Sequence, residues 1–177
     1  MALINTTTTG VLGTTVYGDG AGSLTVQKDG VTQGIYGNIP TFGAYKSTNQ
    51  SITTATWTKV IFEVEEFDTN NNFVSSTFTP TVAGYYSITV SLDVGAASTS
   101  MTAARAAIYK NGGQWRFLPG PYSITATSEF VTGGTALIYM NGTTDYLESY
   151  IWISGTSPVC YSGQSWTYFQ GVLVKAT

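Results

Sequence analysis

From Pro40 to Thr177, apolar and polar residues change places at close intervals, in short runs separated by turn residues. Strict alternation marks a strand, because successive side chains point to opposite faces of a sheet. The clearest case is DYLESYIWI, where Tyr146, Glu148 and Tyr150 share one face and Leu147, Ser149 and Ile151 the other. The pattern predicts strands over residues 42–48, 57–66, 76–79, 84–94, 103–110, 114–118, 127–140, 145–154 and 166–175, and no helix is needed. Asn111-Gly112 and Asn141-Gly142 are the strongest turn signals, since both residue types tolerate the positive φ of a tight hairpin. Short strands spaced this closely belong to a sandwich or barrel rather than to βαβ units. The expected fold class is all-β.

Residues 1–38 break the pattern. They are rich in Thr and Gly and carry only short apolar pairs, Leu3-Ile4, Val11-Leu12 and Val16-Tyr17, before SLTVQKDGV, which allows one hairpin around Ser23–Val31. Too little apolar periodicity is present for this segment to order itself, so it reads as an extended arm that packs on its own head or on a partner. The expected organisation is an arm over 1–38 and a head over 39–177.

Composition narrows the function. The chain has 177 residues, enough for one main domain, with 7 Lys plus Arg against 10 Asp plus Glu. These charges are scattered, so nothing resembles the basic footprint of a nucleic-acid binder. Histidine is absent. That removes the usual general base, the usual neutral-pH switch and the commonest metal ligand together. No catalytic residue, cofactor or metal is expected, and the chain does not read as an enzyme. The start of the chain lacks a secretory leader's charged and apolar regions, and no window approaches membrane-spanning length, so neither secretion nor membrane insertion is expected. The asparagines in NTT, NQS and NGT then read as chance glycosylation matches. Cys160 has no disulfide partner in its chain; a small buried thiol is favoured over a reactive one.

Several spaced motifs together resemble one family over roughly residues 40–177. PTFGAYKS looks like a first strand, and WTKVIFEVEEFDTNNNF like a second strand and its loop. The most specific is TFTPTVAGYYSITVSLDV, in which Phe78, Pro80, Gly84, Tyr85 and Tyr86 introduce a long central strand. AAIYKNG, LIYMNGTTDYLESYIWIS and TYFQGVLV, with Phe169, Gly171 and Leu173 in the last, complete the set. The order resembles the C1q/TNF-like globular head. The resemblance implies a jelly-roll sandwich of about ten strands in a compact homotrimer. On this reading Pro80 sits at the strand entry, where no ladder bond is needed, and Gly84 allows a turn or close backbone approach. Tyr85 and Tyr86 point to opposite faces, one ring into the core and one to a neighbour or solvent. Tyr85, Tyr86, Tyr146, Tyr150, Tyr168 and Phe169 are the candidate core or trimer-contact aromatics.

Two further constellations could carry chemistry. Glu63, Glu65, Glu66 and Asp68 offer oxygens to calcium, but their spacing matches no dedicated loop, and a solvated or Lys/Arg-paired patch is favoured. Some members of the resembled family bind calcium; no motif here carries ligands over. Trp115, Trp152, Tyr161, Gln164 and Trp166 combine rings and amides as a glycan-binding surface would, with core or trimer contacts as the plainer reading.

The Thr/Asn/Gly-rich version of the head looks like those of bacteriophage virions, which decorate capsids or tip fibres. A fibre protein is expected to carry a long shaft, whereas about 40 residues precede this head and no repeat is visible. Extended, the arm spans roughly 120 Å and is long enough to lie along capsid subunits. The leading expectation is a trimeric capsid decoration or cement protein on the virion. Its arm, with Leu3, Ile4, Val11, Leu12, Val16 and Tyr17, would grip the major capsid protein or another virion protein. The alternative is a fibre's receptor-binding head, holding a host surface glycan. A secreted recognition protein is disfavoured by the missing leader.

Overall fold

The structure is a computed structural model; it describes residues 39–120 and 126–177, and before them the backbone of three short strands. The chain divides into two units, Met1–Ile39 and Pro40–Thr177. In the first, β1 (Val16–Gly18), β2 (Leu24–Lys28) and β3 (Val31–Gly34) form an antiparallel sheet in that order. β2 pairs with β3, with Lys28 opposite Val31. Val16 and Tyr17 lie in β1, while Leu3, Ile4, Val11 and Leu12 lie outside the described residues.

In the second unit the strands follow as β4 (Thr41–Tyr45), β5 (Gln50–Ser51), β6 (Thr58–Lys59), β7 (Val64–Asp68), β8 (Phe73–Val74) and β9 (Thr77–Phe78). The long β10 (Gly84–Gly95) comes next, then β11 (Ala103–Lys110), β12 (Gly113–Phe117), β13 (Glu129–Met140), β14 (Leu147–Ser154), β15 (Val159–Cys160) and β16 (Tyr168–Ala176). A 3-10 turn, Ala97–Thr99, leads from β10 towards β11. Among the described residues no helix is long and apolar enough to cross a membrane.

The strands build two antiparallel sheets. In the seven-stranded sheet β10 lies between β13 on one side and β16, then β15, on the other; β4 and β7 continue beyond β16, and β5 beyond β15. The six-stranded sheet runs β12-β11-β14-β9-β8, with β6 also on β14. The chain crosses repeatedly between the sheets, from β10 to the β11–β12 hairpin, back to β13, and over again to β14. That crossing pattern is a jelly roll.

Alternation explains the core. Along β10, Tyr86, Ile88, Val90, Leu92 and Val94 are buried and the residues between them face outward. Leu147, Ile151 and Ile153 of β14 and Ala104, Ala106 and Ile108 of β11 meet them from the other sheet. Phe42 lies at the aromatic centre, stacked on Phe78 at 4.2 Å and Phe73 at 5.0 Å and edge-on to Phe169 at 5.0 Å. Burying one such ring contributes about 1.5–3 kcal/mol from water exclusion alone. Tyr86 buries its ring while its hydroxyl donates to the Val82 carbonyl at 2.8 Å. A Cβ at Gly84 would meet the Lys175 carbonyl oxygen at 2.3 Å, so the glycine serves close backbone approach.

Several expected elements differ, each for a local reason. The strand expected over 57–66 breaks at residues 60–63, where the chain leaves the six-stranded sheet for the other. There Val60 N–H reaches the Ser149 carbonyl, but Ile61 N–H donates to the Gln50 side chain and Phe62 N–H to the Ser76 hydroxyl. The strand over 76–79 is the second half of a hairpin, β8–β9, whose turn residues Ser75 and Ser76 both take positive φ. Ser76 tolerates this because its buried hydroxyl exchanges hydrogen bonds with the Phe62 backbone. Asn111-Gly112 makes the expected hairpin between β11 and β12. Asn141-Gly142 does not, since β13 and β14 belong to different sheets. The Asn141 side chain instead accepts the N–H groups of Thr143, Thr144 and Asp145, capping a crossover loop. Cys160 lies fully buried in the short β15, and burial pushes its thiol up to about 12.

Candidate functional site: the two outer faces of the sandwich

The register of the seven-stranded sheet fixes what points away from the core. Outward positions of β10 are Tyr85, Ser87, Thr89, Ser91 and Asp93. Across the ladders, Tyr85 faces Tyr139, Ser87 faces Leu137 and Val172, and Thr89 faces Thr135 and Gln170. Tyr85, Leu137, Tyr139, Val172 and Val174 are each at least 40 % exposed, as are Phe67 and Val131. The Tyr85 and Tyr139 rings meet edge to face at 5.5 Å. Between Phe67 and the hydroxyl-lined floor lies a hollow of about 330 Å³, lined by Thr41, Phe67, Ser87, Thr89, Gln170 and Val172. Phe67 lies flat over Gly43, where a Cβ would be 2.7 Å from the ring. In the floor the Thr89 and Thr135 hydroxyls share a hydrogen bond of 2.8 Å.

Charge is kept to the margins of this face. Asp93 sits towards one end, where desolvation first and then the nearby Glu129 carboxylate raise its pKa. A broad apolar and hydroxyl surface without central charge is suited to contact with another surface. The chain contains no histidine.

The outer face of the six-stranded sheet differs. Arg105, Ala107 and Tyr109 of β11 stand beside Trp152, Tyr150 and Glu148 of β14. Tyr109 stacks on Tyr150 with centroids at 3.8 Å, and Trp57, from the loop before β6, lies 6.1 Å from Tyr109 and 5.8 Å from Phe117. Charges are paired within the face. Lys59 meets Glu148 at 2.7 Å and donates to the Thr77 hydroxyl, and the Arg105 guanidinium lies 5.2 Å from the Trp152 ring centre. Burial first, then the Glu148 charge, raises the pKa of Tyr150.

The candidate aromatics therefore separate three ways. Tyr86 and Phe169 are core; Tyr85 and Tyr168 face outward on the seven-stranded sheet; Tyr150 belongs to the six-stranded face, with Tyr146 just before its β14. The expected glycan set is also divided. Trp115, under the Arg116 guanidinium, and Trp152 lie on the six-stranded sheet. Tyr161, Gln164 and Trp166 lie in the β15–β16 connection beside the seven-stranded sheet, with Gln164 donating to Glu66. Trp57, Tyr109 and Phe117 were not among the sequence candidates; only the cross-strand register brings them to one place.

Glu63, Glu66 and Asp68 of the 63–68 group have separate partners. Glu63 accepts from Lys46, Ser47 N–H and the Thr48 hydroxyl; desolvation works to raise its pKa, but these bonds outweigh it and hold it at about 2. Asp68 accepts the N–H groups of Asn70 and Phe73 and so closes the Asn-rich loop. Among the described residues no group of three or more such side chains is placed to hold a metal ion.

The two sheets and their crossings define a jelly-roll sandwich. No protein-family profile and no curated protein matches the sequence. Solved structures do match. The globular domain of zebrafish complement 1qA protein aligns at 15% identity and TM-score 0.55, covering 78% of this chain and 99% of that one. Eiger TNF from S. frugiperda aligns at 7% identity and TM-score 0.57, covering 79% and 95%. Murine APRIL aligns at 8% identity and TM-score 0.55, covering 77% and 99%. The head has the C1q/TNF-like jelly-roll fold.

Proposed function

We propose that the chain is a homotrimeric structural protein of a bacteriophage virion, a capsid decoration or cement protein. The observation that carries self-association is the outer face of the seven-stranded sheet, where Tyr85, Leu137, Tyr139, Val172 and Val174 form an exposed apolar surface around a hydroxyl floor. Left in water, such a patch costs free energy; packed against a second copy it contributes about 25 cal/mol per Å² of apolar area removed. The C1q/TNF-like resemblance supplies the number three. Placement on the particle rests on the Thr/Asn/Gly-rich composition and on the separate first unit, whose edge strands β1 and β3 offer backbone groups to a capsid strand.

Removing residues 1–38 tests the assignment. The account expects a folded trimer that no longer binds particles; a truncated head that still decorates them contradicts it. A second reading, the glycan-binding head of a fibre, is supported by the ring cluster of the six-stranded face. Immunogold labelling separates the two, with label over the capsid for decoration and at tail or fibre tips for receptor binding.

A further inference from the structure

We infer that the outer face of the six-stranded sheet is a carbohydrate-binding platform for a neutral pyranose chain, built from Trp57, Tyr109, Phe117 and Tyr150. This deepens the glycan-binding reading and is independent of the trimer surface, which lies on the other sheet.

The platform is contiguous. Phe117 touches Trp57, Trp57 touches Tyr109, and Tyr109 stacks on Tyr150. At its centre stands Ala107, opposite both Tyr150 and Phe117 in the ladders, pointing away from the core and yet fully buried. The rings have closed over the small side chain and form the surface themselves. Phe117 is 55% exposed, a large cost for a ring that no described contact requires to remain in water.

The polar surroundings choose the ligand. The Tyr150 hydroxyl lies 3.5 Å from Glu148, whose other oxygen meets Lys59 and the Thr77 hydroxyl, and Gln114 stands opposite Tyr109. An apolar partner laid over the rings would strip water from these groups without replacing its hydrogen bonds. A pyranose places C–H groups on the rings and hydroxyls beside the carboxylate and amide. Lys59 is paired with Glu148, so its charge is not offered to a polyanionic glycan.

The test is titration of the full chain with maltohexaose, cellohexaose and chitohexaose, followed by tryptophan emission and ligand-observed NMR, alongside an array of neutral glycans. Binding of at least one is expected. Phe117→Ala and Tyr150→Ala should each weaken it roughly tenfold, the change that about 1.4 kcal/mol entails. Trp166→Ala should leave it unchanged. Phe117 is exposed enough for its alanine variant to fold, so it decides the matter if Tyr150→Ala does not. Binding lost in Trp166→Ala but kept in Phe117→Ala would leave the glycan-binding reading standing and overturn this site. No binding to any hexasaccharide or array glycan would overturn the site and remove the support for that reading together.

Discussion

Seen from outside, the two sheets present different materials. The seven-stranded sheet shows Tyr85, Leu137, Tyr139 and Val172 around Ser87, Thr89 and Gln170, with charge at its margins. The six-stranded sheet shows stacked and tilted rings with the Lys59–Glu148 pair among them. Their inner faces are alike, an aliphatic and phenylalanine core set by the same alternation. Inward positions answer to packing, which every jelly roll shares, whereas outward positions are free to answer to partners. As proposed above, one face takes a large flat contact and the other a neutral pyranose chain.

The largest expected effect erases the comparison. Phe42→Ala removes the ring on which Phe73, Phe78 and Phe169 converge, and should cost about 3–5 kcal/mol in urea unfolding. Both faces should be lost with the fold. Next, Leu137→Asp combined with Val172→Asp puts two charges into the seven-stranded face at exposed positions. The circular dichroism spectrum should be retained while association is lost in sedimentation; persistence of the oligomer would move the interface elsewhere.

Smaller effects sharpen the account of the core and its edge. Glu63 is held at about 2 in the folded chain against an ordinary value of 4.5. Because its folded pKa is depressed, its contribution is complete above about pH 4.5 and disappears as pH falls towards 2. Glu63→Gln should therefore lower the melting temperature at neutral pH and leave it nearly unchanged near pH 2. An equal loss at both would deny the carboxylate this role. The smallest effect has the opposite sign. Among the described residues the Ser149 hydroxyl is buried without a hydrogen-bond partner, so Ser149→Ala should raise stability by about 1 kcal/mol in the same urea assay.

How far these features were legible in sequence follows from how local their causes are. β10 and β11 appear where alternation places them, because one buried face leaves no freedom of register. The break at residues 60–63 was not readable, since side chains of Gln50 and Ser76, distant in sequence, supply the partners a strand would have given. Nor was the Ser75-Ser76 turn, which takes positive φ without a glycine. Asn141-Gly142 looked like Asn111-Gly112 because both satisfy a turn, and only the destination of the next strand distinguishes crossover from hairpin. The same limit divided the Trp115, Trp152, Tyr161, Gln164 and Trp166 set between two sheets and hid Trp57. Ring neighbours across strands are a property of register, which no single segment carries.

The most direct test of self-association through the seven-stranded face is the mass of the intact chain in solution by sedimentation equilibrium, run beside the Leu137→Asp/Val172→Asp variant. One chain weighs 18.8 kDa. The account predicts three times that, about 56 kDa (3 × 18.8), for the unaltered protein and 18.8 kDa for the variant. A monomer for the unaltered protein, or an unchanged trimer for the variant, would contradict it.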